Sequence, residues 1–265
     1  VYKRQNLKIT GYYDVNENLA KEAATFTETT FIEDLETIVK ISDTLFLTVP
    51  DDLITTVWNQ MKDMSLEGKF ICHCSGALSA GDAFPGIDKC GAFGYSVHPL
   101  FAVSDKYNSY KELSHAYFVI EGDEKHREEI AGIFNNLGNE VRYIAAKDKV
   151  KYHCAAAVCS NHVVALIQES LDLMQECGFD EESALKALAP IMLGNMQHIA
   201  ERGTVNSLTG PVERADVKTV EKHLNCLDEK QQMIYRLLSE VLISIGEKKN
   251  PGRDYGRLKH ILGNE

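Results

Sequence analysis

The chain has no excess of positive charge. Its 265 residues carry 28 Lys and Arg against 39 Asp and Glu, a formal net charge of −11. Nucleic acid demands a basic face to neutralise phosphates, so that class of partner is disfavoured. Long hydrophobic runs are missing too. No apolar stretch approaches the roughly 18–20 residues of a membrane span, and no secretory signal is visible. The expectation is therefore a protein without a membrane partner. Disulfide-scaffold spacing is also absent. Seven cysteines, an odd count in a chain of this length, suit reduced thiols and a cytoplasmic home.

The absence with most consequence is a turn. The run LKITGYYD, Leu7 to Asp14, reads as the second strand of a dinucleotide-binding unit and ends in a carboxylate. Such a strand normally follows a first strand, a G-x-G-x-x-G turn and a helix within about 30 residues. Only six residues precede it here, and the first is Val1 rather than Met. The expectation is an N-terminally truncated chain whose first strand and phosphate-cradling glycine loop are missing. On that reading the chain binds dinucleotide poorly, and VYKRQ (Val1 to Gln5) is set aside as a remnant.

What remains falls into two halves. From Leu7 to about Ala145, short β-branched runs alternate with helical spacing. The expected strands are LKITGYY, the brief TTFI (Thr29 to Ile32), DTLFLTV (Asp43 to Val49), KFICHC (Lys69 to Cys74), AFGYSV (Ala92 to Val97), HAYFVIE (His115 to Glu121) and EVRYIA (Glu140 to Ala145). FLTV and FIC are near-continuous apolar runs, as strands covered on both faces require. The alternation predicts a doubly wound α/β domain. After Ala145 only helical patterns follow, with GFD (Gly178 to Asp180) and Asp216 as stop and start signals and Pro190 as an expected kink. The predicted organisation is a Rossmann-like domain over 1–146 and an all-α domain over 147–265, meeting at a cleft.

Several residues could carry chemistry. Asp14, at a strand end, can accept both ribose hydroxyls of an adenosine; a solvated turn acid is the equal alternative. Val15 beside it offers no charge for a 2′-phosphate, which tilts the cofactor from NADP towards NAD. TVPDD supplies Thr48, Val49, Pro50 and Asp51 at the carboxyl end of the next strand, where cofactor crevices form, although Asp51 or Asp52 as helix caps would explain the acids. HCSGA places Ser75 and Gly76 where a hydroxyl and a bare backbone can approach a nicotinamide. A metal is not expected there, since Cys72 and Cys74 share one strand face while His73 points to the other. His98, in SVHPLF, sits at a further strand end, poised for substrate or packed for structure.

The helix KYHCAAAVCSNHVVAL, Lys151 to Leu166, is so apolar that it should be buried nearly all round. On it His153, Ser160 and Asn161 form a polar stripe, and His162 lies opposite. A cleft explains the stripe, with a satisfied interhelical network as the alternative. LTGPVERAD (Leu208 to Asp216) breaks the helices and presents Thr209 and Arg214, whose guanidinium can hold a carboxylate bidentately. A surface-loop arginine is the competing reading.

Taken in order, TVPDD, HCSGA, SVHPL, YHCAAAVCSN and LTGPVERAD resemble a family of NAD(P)-dependent oxidoreductases with a Rossmann-like domain followed by a helical domain of unknown function. That family is similar to ketopantoate reductase, pyrroline-carboxylate reductase and the hydroxyacid dehydrogenases. The resemblance implies hydride transfer between NAD or NADP and a small carbonyl, imine or alcohol in the interdomain cleft. From the residues themselves, His153 is the expected proton donor, with Asn161 and Ser75 as catalytic partners and His98, Ser160, Thr209 and Arg214 towards the substrate. A non-catalytic nucleotide sensor and a structural oligomer are the competing classes. A homodimer through the helical domain is expected, because the apolar helix needs more cover than a few short helices supply.

Overall fold

The computed structural model describes residues 7–103, 105 and 107–263; the Val1 to Gln5 segment lies outside them. Two compact units emerge, Val1–Val163 and Val164–Glu265. The change of grammar at residue 146 and the division at residue 163 differ because the first helix after the strands packs with the sheet.

The first unit opens with α1 (Glu17–Thr27) and α2 (Leu35–Ile41). Asn16 caps α1 by accepting from Asn18 N, and Asp34 caps α2 by accepting from Thr37 N, each satisfying an orphan donor. The strands and helices that follow are β1 (Thr44–Leu47), α3 (Asp51–Met61), β2 (Phe70–His73), α4 (Ala80–Ala83), β3 (Phe93–Leu100), β4 (Tyr117–Gly122), α5 (Arg127–Asn135), β5 (Val141–Tyr143) and α6 (Lys149–Cys159). The sheet order is β1-β2-β3-β4-β5. Every neighbouring pair is parallel except β3 and β4. This is the expected Rossmann-like, doubly wound class.

Burial follows the period-2 alternation of a strand covered on both faces. Ile71 joins Leu45, Leu47, Ile54, Trp58 and Phe84 on one side. Its neighbour Cys72 joins Tyr95, Val97, Ile120, Ile130 and Phe134 on the other. Trp58, fully buried, donates its indole N–H to Pro85 O at 3.1 Å, which satisfies the polar handle of a large core aromatic.

Five of the seven expected strands form. LKITGYY and TTFI contribute only a parallel bridge, Tyr12 with Phe31. Tyr12 N donates to Thr30 O at 3.0 Å and Ile32 N to Tyr12 O at 2.9 Å. Thr29 N donates to Ala24 O at 2.8 Å, which closes α1 and pairs no strand, and an extended run without a ladder is not a strand.

The second unit is helical: most of α7 (Asn161–Glu176), then α8 (Glu181–Ser207), α9 (Val217–Cys226), α10 (Glu229–Lys249) and α11 (Gly256–Leu262). Asp180 and Asp216 cap α8 and α9 as their sequence positions predict, accepting from Ser183 N and Thr219 N. The dihedrals inside α8 leave the helical range at Gly203 (φ 74, ψ 170), while Pro190 lies within the helix. The core gathers Val212, Val220, Leu224, Ile243, Tyr255 and Leu258.

Two expectations need correction. The helix predicted to be buried all round breaks at Ser160 (φ −114, ψ −74), and among residues of α6 only Lys149 is buried. Periodicity reports an apolar surface, not what covers it; Val158, Val164, Ile191 and Leu193 are 50%, 70%, 64% and 70% exposed in the single chain. The stretch Ala146–Glu176 is also long enough, and over one 18-residue window apolar enough, to cross a membrane by length and composition, contrary to the count of uninterrupted apolar residues. Its first turn is tied by Lys149 into the sheet domain, and its break at Ser160 interrupts the rod a span would need.

Candidate functional site

The parallel register sets Leu47 beside His73 and His73 beside Ser96. The carboxyl ends of β1 and β2 and the middle of β3 therefore form one ledge, the position where open α/β sheets bind ligands. The chain leaving β2 turns sharply. Ser75 N donates to His73 Nδ1 at 3.1 Å, and Ser75 Oγ donates to Asp51 Oδ2 at 2.5 Å while accepting from Leu78 N at 3.0 Å. Asp51 is not the helix cap that TVPDD predicts. The N-cap of α3 is Pro50, with no side-chain cap bond, and Asp51 turns to the serine instead.

Lys149, the first residue of α6, is 1% exposed. Its Nζ donates to Ser75 O at 2.8 Å and to Ser96 Oγ, and Ser96 Oγ in turn donates to Ser75 O at 3.0 Å. One ammonium thus ties α6 to the ends of two strands. Burial pulls its pKa down to about 8, against the opposing pull of Glu121, Asp51 and Cys74. Glu121, itself buried with Oε2 accepting from Ala80 N at 2.7 Å, has its carboxyl pushed up by the same desolvation.

Two imidazoles face this turn. Gly76 has no side chain for a definite reason: a Cβ there would lie 2.9 Å from His98 Nε2 and closer still to His153 Cδ2. The rings of His98 and His153 sit 6.1 Å apart, nearly perpendicular at 77°. His98 Nδ1 is 2.7 Å from Tyr152 Oη. Burial, then Lys149, then His153 lower the His98 pKa to about 4, so the ring is neutral near pH 7. His73, fully buried, is lowered to about 4 chiefly by desolvation.

Of the residues singled out from sequence, Ser75, Gly76, His98 and His153 converge here, and Asp51 joins them through Ser75. Thr48, Val49 and Pro50 form the link from β1 into α3. Asp14 follows the Tyr12 bridge by two residues and spends Oδ1 on Asn16 N at 2.7 Å. Ser160 and Asn161 do not extend the stripe. The Ser160 hydroxyl lies 2.8 Å from Ala156 O and 3.1 Å from Asn161 Oδ1, and both residues are exposed. Thr209 and Arg214 belong to the second unit, exposed on a turn held by Asn250, Arg253 and Tyr255 through Glu213.

Sequence reasoning missed Lys149, Ser96, Glu121 and Tyr152. The signal for Lys149 was available, because four residues before His153 is the same helix face. A lysine opening an apolar helix reads as solvated until the sheet is placed around it. A separate apolar cavity of about 310 Å³, lined by Tyr12, Phe26, Phe118 and Phe134 among others, contains none of the site residues.

A family model described as a domain of unknown function, DUF2520, matches residues 116–242. No curated protein sequence matches the chain. A solved structure of a protein from Thermotoga maritima is 26% identical, covers 89% of this chain and 90% of that one, and superposes with a TM-score of 0.72. An inferred NADP oxidoreductase from Bacteroides fragilis is 18% identical over 91% of this chain and 90% of its own, at a TM-score of 0.69. Pyrroline carboxylate reductase from Plasmodium falciparum, solved with NADP bound, is 15% identical over 91% and 88%, at a TM-score of 0.54. The Rossmann-like sheet followed by a helical unit is the architecture this chain shares with them.

Proposed function

We propose that this chain, a Rossmann-like fold carrying a DUF2520 domain, is an NAD(P)-dependent oxidoreductase acting on a small carbonyl, imine or alcohol. The observation that carries the reading is the ledge itself. A buried lysine and two imidazoles gather at one strand-end turn, where Gly76 lets the rings pack close to the backbone. Perturbed titratable groups gathered at strand ends are the physical mark of a site built for proton traffic. The solved structures of similar architecture named for NADP and for pyrroline carboxylate reduction support the same class.

The ledge suits the nicotinamide end of a dinucleotide because it lies at the carboxyl ends of β1 and β2, where open α/β sheets bind ligands. When bound, that cofactor supplies the hydride donor or acceptor. Asp14 suits the ribose hydroxyls and, with Val15 uncharged, favours NAD over NADP. The chain's own residues do the rest. Lys149 and Asp51 fix the Ser75–Gly76 turn from both sides. His153, beside the same turn and exposed, gives or takes the proton at the substrate oxygen or nitrogen.

We further propose a cytoplasmic homodimer assembled through the helical unit. Ile191, Leu193, Met233 and Leu237 are 64%, 70%, 64% and 58% exposed, more apolar surface than scattered residues on a monomer account for.

Melting the chain in the presence of NAD, NADH, NADP and NADPH tests the class. A ligand at 100 times Kd adds about 2.7 kcal/mol of stability. Stabilisation by one pair, followed by reduced-cofactor oxidation with some member of a panel of ketoacids and imines, supports the proposal. Binding without turnover makes the protein a nucleotide sensor, and neither stabilisation nor turnover at millimolar cofactor retires the reading.

A further inference from the structure

His98 is held from one side only. Its Nδ1 meets Tyr152 Oη at 2.7 Å, with the two rings edge to face at 5.6 Å between centroids. Its Nε2 has no hydrogen-bond partner among the described residues, and that nitrogen lies against Gly76, 2.9 Å from where a Cβ would stand. Such a ring is neutral in one of two forms, and the partner of one nitrogen decides which nitrogen bears the proton.

The phenol settles the choice. Tyr152 Oη has no hydrogen-bond partner other than His98 Nδ1 among the described residues. If Nδ1 carried the proton, the phenol would accept and its own hydrogen would have no protein acceptor. If the phenol donates, its hydrogen is used, Nδ1 accepts, and the ring proton must sit on Nε2. Burial pushes the Tyr152 phenol up to about 12, so it keeps that hydrogen throughout the neutral range. The charged and titratable groups around His98 are Lys149 and His153, which disfavour a second proton on the ring, and Asp51, which opposes them more weakly.

We infer that Tyr152 locks His98 in the Nε2–H tautomer, so that a neutral imidazole presents an unpaired N–H beside the Gly76 turn, able to donate to the oxygen or nitrogen of a bound electrophile. Tyr152 is then a positioning residue, acting through His98 alone. His98 complements His153: one polarises the acceptor atom without giving up its proton, and the other transfers one. A Nδ1–H ring would present a lone pair there instead, and would repel the same atom. The ligand that this N–H selects is a hydrogen-bond acceptor, a carbonyl or an imine, rather than a cation. The inference rests on the oxidoreductase reading for its ligand, but not for the tautomer.

The test is a long-range proton–nitrogen correlation spectrum of the full chain labelled with nitrogen-15 at histidine, with His98 assigned by the peaks lost in His98→Gln. The expected pattern at neutral pH is a protonated Nε2 and an unprotonated Nδ1 for His98, shifting towards a tautomer mixture in Tyr152→Phe. A wild-type spectrum with the proton on Nδ1 overturns the inference, as does a Tyr152→Phe spectrum in which the His98 pattern is unchanged. The wild-type spectrum decides alone if the variant folds poorly. A protein that shows the tautomer but neither binds dinucleotide nor turns over any substrate at millimolar cofactor removes the oxidoreductase reading and leaves the Tyr152–His98 lock standing.

Discussion

The two units dispose of polar and apolar groups in opposite ways. The sheet unit buries His73, Ser75, Ser96, Glu121 and Lys149 at 7% exposure or less, side chains that fold at a cost unless each finds a partner. The helical unit leaves Ile191, Leu193, Met233 and Leu237 more than half exposed, side chains that gain nothing until something covers them. Between these extremes runs α6, whose first turn is pinned to the strands by Lys149 and whose far end presents Val158 at 50% exposure. Polar burial at a strand-end ledge is how a protein fixes chemistry in place. Apolar exposure along helices is how it presents a surface to be covered.

The sharpest way to break this contrast is to disable the ledge without unfolding it. His153→Gln is expected to lower turnover by about 10²–10⁴-fold with little change in dinucleotide affinity, the range for removing a general acid. Steady-state kinetics beside a cofactor titration read the split, and unchanged kcat assigns the proton to another group.

Next in size is Lys149→Met, which removes the ammonium and leaves Ser75 O and Ser96 Oγ with one donor fewer. The loss of folding stability should be about 1–3 kcal/mol, the penalty for an unmade buried hydrogen bond, measured by urea unfolding. A neutral result would mean that water replaces the lysine and that the sheet unit does not depend on its polar centre.

A smaller effect appears on the acid limb. His73 and His98 titrate near 4 in the folded chain against an ordinary 6.5. The unfolded chain therefore takes up more protons between those values. Their contribution is intact above pH 6.5 and is lost as pH falls through about 4. The melting temperature should drop across that window, and His73→Asn or His98→Gln should each flatten the slope. An unchanged slope in both variants would show that the rings are not held neutral by burial.

The smallest expected change in chain stability comes from the other unit. Leu193→Glu should alter the folding of the single chain by no more than about 0.5 kcal/mol, as an exposed position allows, while converting a homodimer to monomer by light scattering. If the variant stays dimeric, the helical surface around Leu193 is not the interface.

Much of this molecule was legible in sequence for physical reasons that differ by region. Strands buried on both faces announce themselves as continuous apolar runs, and FLTV and FIC, which gave β1 and β2, were read that way. Helix starts at Asp180 and Asp216 were read from capping residues. The convergence of His153 with Ser75, Gly76 and His98 was legible because strand ends and the first following helix meet in any doubly wound sheet. Asp51 was misread as a cap, since an acid before a helix has a local use that sequence cannot tell from a distant one. LKITGYY looked like a strand because its pattern was right, yet pairing needs neighbours that a pattern does not supply.

Composition and periodicity by themselves determined the fold class, the order of elements, the acidic balance and the glycine at the tightest point of the ledge. These follow from local rules of burial, spacing and backbone freedom. Only the tertiary structure decided that Lys149 is the buried tie between helix and sheet, that Asp51 serves Ser75, that Tyr152 faces His98, and that the most apolar helix stays largely uncovered. Each of these depends on which side chain meets which across many residues of chain. A pKa, a tautomer or an exposed face is a property of the neighbour as much as of the residue.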